Sequence, residues 1–489
     1  MVLHDGLRRH RIHAGHSHVR SGSEVVHLRP YGRGCERLIG KKSYPRARIT
    51  NERGETLMSA TSRRTLIKAA VALTVCAGVS TSFTERAAAQ ATEIVYSTFL
   101  DPNNANDPRS AAQTKMIQAF ESKHPDIKIR LLVDPTGQTV TRAVKSRSET
   151  PDVIRVVSFG LPEYAATGNL LALNDLVKKD GIPDDDWLLP LSTAQIDGKL
   201  YGLPQDFRIP ILVYRKGALQ EAGVTPPKTW EEVCAAGPKF KQPNINGFAV
   251  PLGATGGIGG AQSLAEFFLS TMLVGSDGRY FAPDGKIAFS KENFIRAGAT
   301  IKDLFTKCKV TSLRSAQMGI NEVHDGLRSG TIAMTNFGLY RFKTVQTQGA
   351  GDDLAWAPAP SYTPSDKQTV YSYSIALNKN SKKQDAAWTF MKFVISPEAQ
   401  AIAAEGGEVV SRKSTYTAPY LQSEAAANQK RWAELVSQRG QAVSYSPILS
   451  TFHTILGEAF QRMVLKDETP ENAYAEVVKR YDEALTKAQ

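Results

Sequence analysis

The sequence predicts an α/β protein with mainly parallel sheets. Two observations carry that expectation. After residue 90 the chain opens in the order strand, polar loop, helix, strand, the unit from which a parallel sheet is wound. Short apolar runs closed by turn residues then recur along the chain, with helical spacing between them, which favours stacked α/β layers over a bundle or a sandwich.

The first strand is read in Ile94-Val95-Tyr96-Ser97-Thr98-Phe99. A polar loop from Asp101 to Arg109 leads into a helix that places Ala112, Met116, Ala119 and Phe120 on one face, the spacing of a buried helical stripe. His124-Pro125 stops this helix, because the residue before proline is driven out of the helical region. Ile127 to Leu131 then alternates as a strand. In open α/β sheets ligands bind beyond the carboxyl ends of the strands, which makes the loop after Phe99 a candidate wall of a site. Asp152 to Val157 is the next strand-like run; it ends in Ser158-Phe159-Gly160 ahead of a helical segment from Glu163 to Asn169. Turn residues at Asp197-Gly198 precede a further strand, Ile211 to Tyr214. Thr229, with Glu232 three residues on, reads as a helix cap, since a threonine hydroxyl there accepts an amide that the first turn leaves without a partner.

The formal charge of +12 is concentrated at one end of the chain. Residues 1–89 hold 16 basic and 6 acidic side chains, while residues 90–489 hold 44 and 42. The body is close to neutral, so no nucleic acid or other polyanion is expected as a partner. Residues 1–57 show neither helical nor strand periodicity and read as an over-extended gene start or a disordered arm, with Met58 as the expected first residue. Residues 58–89 form an export signal. Ser62-Arg63-Arg64-Thr65-Leu66-Ile67-Lys68 follows the twin-arginine pattern, with Arg63 and Arg64 as its pair. The apolar run from Ala69 to Val79 is well short of the ~20 residues that span a bilayer. Small residues for cleavage follow at Ala87-Ala88-Ala89, so the mature chain is expected in the periplasm. Of the four cysteines, Cys35 and Cys76 fall in this leader. Cys234 and Cys308 are open to two readings, a disulfide permitted by export or two separate buried thiols.

No HExxH, GxSxG or SxxK motif occurs, and the glycine-rich stretch Gly253 to Gly260 lacks the Lys-Ser/Thr of a phosphate-binding loop. These absences argue against an exported enzyme of those classes, and no cofactor or metal is expected. A binding protein for an iron complex, a polyamine or a peptide stands as a rival reading.

Several stretches taken in order resemble family 1 extracellular solute-binding proteins, the group that includes maltose-binding protein. They are Phe120 to Ile127, Pro151 to Leu173, Asp197 to Tyr214, Pro226 to Trp230, Gly330 to Tyr340 and Ser374 to Gln400. The resemblance implies the type II periplasmic-binding-protein fold, two α/β lobes joined by three hinge crossings. Crossings are expected near Phe207, near Pro358 to Pro360 and near Gly406-Gly407, which gives an N-lobe of 90–207 with 360–406 and a C-lobe of 208–359 with 407–489. It implies capture of a sugar or sugar-like solute by a monomer, which delivers it to an ABC permease with a separate ATPase subunit. Carried across residue by residue, the ligand positions are Phe99, Ser158, Phe159, Arg208, Thr255, Asn336, Phe337, Tyr340, Tyr373 and His453. Of Tyr371 and Tyr373, at most one is expected at the cleft. Arg208 stands where maltose-binding protein has a carboxylate, and Val156 where it has tryptophan. Both departures argue against a maltodextrin site, and Arg208 raises the alternative of an anionic sugar derivative or polyol phosphate, because a guanidinium grips such groups with two parallel bonds.

Overall fold

The computed structural model describes residues 91–488 apart from 135–137, 147–149, 159, 242–244, 254–257, 276–277, 283 and 365. The leader, including Met58 and the Arg63-Arg64 pair, lies outside the described residues, as do Phe159 and Thr255. Among the described residues no helix is long and apolar enough to cross a membrane.

The chain forms two α/β lobes. In chain order the strands are β1 (Thr92–Thr98), β2 (Ile127–Val133), β3 (Val153–Val157), β4 (Leu203–Pro204), β5 (Pro210–Arg215), β6 (Asn246–Ala249), β7 (Ile332–Gly338), β8 (Leu354–Pro358), β9 (Gln368–Val370), β10 (Tyr373–Leu377) and β11 (Gly440–Ala442). The first lobe carries the sheet β2-β1-β3-β10-β4 and the second the sheet β6-β7-β5-β8, with β9 and β11 as a separate parallel pair.

The opening unit forms as its sequence requires. Asp107 caps the helix Pro108–Lys123, accepting from Arg109 N, and Pro108 fills the first turn, where no amide donor is needed. The helix ends one residue before His124, and the chain returns to lay β2 parallel to β1 with Thr92 opposite Ile127. Phe120, Ile94 and Tyr96 meet Phe390 and Ile375 in the first lobe's core.

The sheets are mixed, which corrects the expectation of mainly parallel ones. β1 runs parallel to β2 and β3, but β10 is antiparallel to both β3 and β4. In the second sheet β6 is parallel to β7, while β5 is antiparallel to β7 and β8. The reversed strands, β5 and β10, are those that arrive from the other lobe, so they enter their sheets from the opposite end.

Three stretches link the lobes. The first runs from Pro204 in β4 to Pro210 in β5, and the second from Val370 in β9 to Tyr373 in β10. These two pair as an antiparallel ribbon, Arg208 N donating to Tyr371 O at 2.7 Å and Tyr371 N to Arg208 O at 3.0 Å. The third follows the helix Pro397–Glu405 and bridges back at Val410 to Asp206. The second linkage lies further along the chain than Pro358 to Pro360. Ser361 holds that stretch to the second lobe, its amide donating to Lys228 O and its carbonyl accepting from Trp230 N, and Val370 and Tyr371 belong to the same core.

Thr229 caps the helix Trp230–Ala236 as expected, accepting from Glu232 N at 3.2 Å, while Glu232 accepts from Lys228 N at 2.6 Å. Cys234 and Cys308 are joined in a disulfide, with Cα atoms 5.0 Å apart.

Candidate ligand-binding site

The ends of β1 and β3, the start of β10 and the first and third linkages converge on one buried polar cluster between the lobes. Tyr373, where β10 begins, stacks on Phe99, just past β1, with ring centroids 4.7 Å apart and planes tilted by 39°. The Tyr373 amide donates to Asp206 Oδ1 at 2.7 Å, which fixes where β10 starts relative to the first linkage.

Three guanidiniums surround the ring pair. Arg155, from the middle of β3, lies 4.8 Å from the Phe99 centroid and 5.0 Å from that of Tyr373. Arg208 lies 4.2 Å from Tyr373, and Arg109 5.4 Å from Phe99. A guanidinium over a ring face is held by the ring quadrupole, an attraction of about 0.5–2 kcal/mol depending on desolvation.

Each guanidinium also has a carboxylate. Arg109 donates to Asp107 at 2.9 and 2.6 Å. Arg208 donates to Asp206 Oδ2 through Nε at 3.2 Å and Nη2 at 2.9 Å, and to Glu408 at 3.4 Å. Arg155 reaches Glu408 at 3.1 Å and Asp206 at 3.5 Å. Asp206 comes from the first linkage and Glu408 from the third, so the ion pairs bind two linkages to each other and to β3. Gly407 makes the Glu408 position possible, because its φ of 97° lies in the left-handed region that glycine adopts freely.

Removing charges from water is costly, and this network offsets the cost by setting each guanidinium against a carboxylate. Burial pushes Asp206 up to about 6; Arg208 opposes the rise and the Glu408 charge adds to it. Burial acts in the same sense on Glu408, but Arg208, Arg155 and Arg109 together draw it down to about 2. At neutral pH three cations therefore face three anions, and the cluster presents no net charge.

The remaining positions fall into distinct places. Ser158, just beyond β3, is buried, and its Oγ accepts from Ser372 N at 3.2 Å, so it stands beside the cluster at the mouth of the first sheet. Tyr340 begins a helix two residues past the end of β7. Asn336 and Phe337 are corrections. Both are fully buried inside β7, a central strand with β5 and β6 on either side. Asn336 Nδ2 donates to Phe267 O at 3.0 Å, and the Phe337 ring meets His324 edge-on at 4.9 Å. His453 is also a correction: it is buried in the second lobe's core beside Phe452, and burial pushes its pKa down to about 3, so it stays neutral. Tyr371 is buried in the same core, leaving Tyr373 as the tyrosine at the cluster. Arg109, Arg155, Asp206 and Glu408 were not anticipated. Among the described residues no group of three or more His, Cys, Asp or Glu is placed to hold a metal ion.

The family model of bacterial extracellular solute-binding proteins matches residues 104–401. The chain belongs to that family. A probable amino-acid ABC transporter periplasmic-binding protein of Sinorhizobium fredii is 26% identical over 61% of this chain and 68% of its own length. The diacetylchitobiose binding protein of Streptomyces coelicolor is 24% identical over 72% of this chain and 81% of its own. Among solved structures, a maltose-bound MalE protein of T. maritima superposes with a TM-score of 0.68 at 19% identity, covering 81% of this chain and all of that one. A match of that quality establishes the shared two-lobed architecture.

Proposed function

We propose that this protein captures an uncharged, sugar-like solute between its lobes and delivers it to an ABC permease that works with a separate ATPase subunit. One observation carries the reading. The guanidiniums at the cleft are matched by Asp107, Asp206 and Glu408, which leaves aromatic edges and hydroxyls, rather than net charge, for a solute to meet. Sugar sites use those groups: ring faces for the apolar side of a pyranose, and polar partners for hydroxyls that cost about 1–3 kcal/mol when buried without one. The diacetylchitobiose-binding and maltose-bound relatives fit the same chemistry.

The relative named for amino acids keeps a second reading in view. A zwitterion needs a cation and an anion available to it, and here the charges are engaged with one another. An anionic sugar derivative would likewise have to draw Arg208 away from Asp206 and Glu408.

The protein acts by binding, as a monomer that closes on its solute. Its route outward is the twin-arginine pathway, directed by Arg63 and Arg64, with cleavage near Ala89 and release into the periplasm. A solute closes the lobes only by binding the closed form more tightly than the open one.

A thermal-shift screen of the purified protein against neutral sugars, polyols, sugar acids, sugar phosphates and amino acids tests the reading. A ligand at 100 times its dissociation constant adds ~2.7 kcal/mol of stability. Stabilisation is expected among neutral sugars or polyols. Stabilisation confined to amino acids or anions would overturn it.

A further inference from the structure

We propose that Tyr445 is a solute-contacting, specificity-determining residue of the second lobe, facing Ser158 and Ser372 of the first across the gap. The inference rests on the functional reading above and names the groups that hold the solute's hydroxyls.

Tyr445 lies in the short connection between β11 and the helix Leu449–Leu465. Its two neighbours are tied inward. Ser444 Oγ accepts from the amides of Tyr280 and Phe281, both at 3.0 Å. Ser446 is fully buried, pairs with Tyr481 Oη at 2.8 Å and accepts from Ile448 N at 3.3 Å. Between these two serines the Tyr445 side chain packs against the edge of the second lobe's core. There it lines a gap of about 10 Å³ with Ser158, Ser372 and Thr193 of the first lobe and Phe207 of the first linkage.

No charged side chain lines that gap: among mainly apolar residues it presents the hydroxyls of Ser158, Thr193, Ser372 and Tyr445. Tyr445 Oη makes no hydrogen bond to the described residues. Burial raises its phenol above the ordinary value, so the hydroxyl keeps its proton and both donates and accepts. Opposite it, Ser158 Oγ accepts from Ser372 N at 3.2 Å, which leaves its own proton to donate. A phenol ring with a polar tip on one side and serine hydroxyls on the other suit one sugar ring or a polyol chain, whose hydroxyls donate and accept in turn. At about 10 Å³ the gap admits no more than a water, so the lobes would have to part for the solute to enter, and the contact would form as they close on it.

The test has two arms. In the first, solute-free protein is treated with tetranitromethane and the nitrated tyrosines are mapped by mass spectrometry, with and without a solute that stabilises the protein in the screen. Nitration of Tyr445 and its protection by the solute are expected. A Tyr445 that stays unmodified while exposed tyrosines react would overturn the assignment. In the second, the same solute is titrated into Tyr445→Phe, which keeps the ring, and into Ser158→Ala. Tyr445→Phe is expected to weaken binding about tenfold, roughly the loss of one hydrogen bond; unchanged affinity would overturn the assignment. If amino acids prove to be the stabilising solutes, the sugar reading falls, while protection of Tyr445 by them would still support its place in the site.

Discussion

Arg208 Nη2 lies 3.4 Å from Glu408 Oε2, a contact that joins the first linkage between the lobes to the third across 200 residues of sequence. Glu408 also receives Arg155 at 3.1 Å. Removing this carboxylate takes one anion from two buried guanidiniums that also share Asp206, and breaking one side of a buried ion pair costs about 3–5 kcal/mol. Glu408→Ala is therefore expected to lower unfolding stability by about that amount at neutral pH, as read from urea denaturation. Acid should act in the same sense. The folded pKa of about 2 is below the ordinary 4.5, so this stabilisation is present above pH 4.5 and is lost as pH falls toward 2. Glu408→Gln should remove that component of the acid sensitivity.

Glu266 has the opposite sign. It sits in a fully buried π-helical segment, Ala265–Val274, with Gln262 as its side-chain partner. Burial pushes its pKa up to about 7; Gln262 and the Arg208 charge pull the other way. A raised carboxyl favours the folded state while protonated. Its contribution is thus complete below pH 4.5 and is lost as pH rises through about 7. Asp206, raised to about 6, adds in the same direction. Melting temperature should decline between about pH 4.5 and pH 7, the span from the ordinary carboxylate value to these raised ones, and Glu266→Gln should flatten the decline. An unaltered pH profile in that variant would assign the decline elsewhere.

Gly407 supports the network through its backbone. Its φ of 97° is one that side-chain-bearing residues rarely adopt, and an added Cβ would sit 3.2 Å from Lys343 Cδ of the second lobe. Gly407→Ala is expected to destabilise the protein by more than ~1 kcal/mol, because neither strain nor crowding is relieved without moving Glu408. The melting temperature should fall, and the solute affinity should fall with it, since the variant shifts a residue that positions Arg155 and Arg208.

How much of this was legible in advance depends on the distance over which each feature is specified. The opening strand, the helix closed before His124-Pro125 and the Thr229 cap are local, and each is set by neighbours within a few residues. Phe99 and Tyr373 were named only through the resemblance, and the contact that brings their rings to 4.7 Å joins segments far apart in sequence. The ion network was not. Asp206 and Glu408 are ordinary acids in sequence and acquire meaning only when the third linkage folds back on the first. Arg155 did carry a signal, a charge in the middle of the apolar run Val153 to Val157, since an arginine inside a central strand must find carboxylates. Asn336 and Phe337 failed for the converse reason. Their run resembles a ligand loop, but β7 is flanked on both edges and buried on both faces, and a short apolar run does not say which of its residues emerge beyond the sheet. The two readings of Cys234 and Cys308 were separated only by the packing that brings their Cα atoms to 5.0 Å.

That disulfide closes a loop with a sequence separation of 74. Restricting a loop of this size in the unfolded chain is worth about 4 kcal/mol in the entropy model, and measured gains are commonly nearer 2–4 kcal/mol. The bridge lies within the second lobe, tying the helix Trp230–Ala236 to the end of the helix Lys291–Thr306. Replacing both cysteines with alanine should therefore lower the melting temperature while leaving solute affinity within about twofold, since distant and unconnected sites behave independently. A large loss of affinity would mean that the bridge shapes the cleft as well as the lobe.

Tyr373 separates packing from recognition most sharply. Its ring is held between Arg208 at 4.2 Å and Phe99 at 4.7 Å, and its amide is fixed by Asp206. Tyr373→Phe keeps the stack and the amide bond and removes only the hydroxyl. It should leave stability within about 1 kcal/mol, because one partly buried hydrogen-bonding group is worth no more than that on average. Tyr373→Ala removes the face on which the guanidiniums rest and opens the floor of the cleft. Calorimetric titration with the solute found in the screen should show at least a tenfold loss for this variant, about 1.4 kcal/mol. If Tyr373→Ala binds as tightly as the unaltered protein, the aromatic pair is hinge packing alone, and the solute is held by the serines and Tyr445 further along the gap.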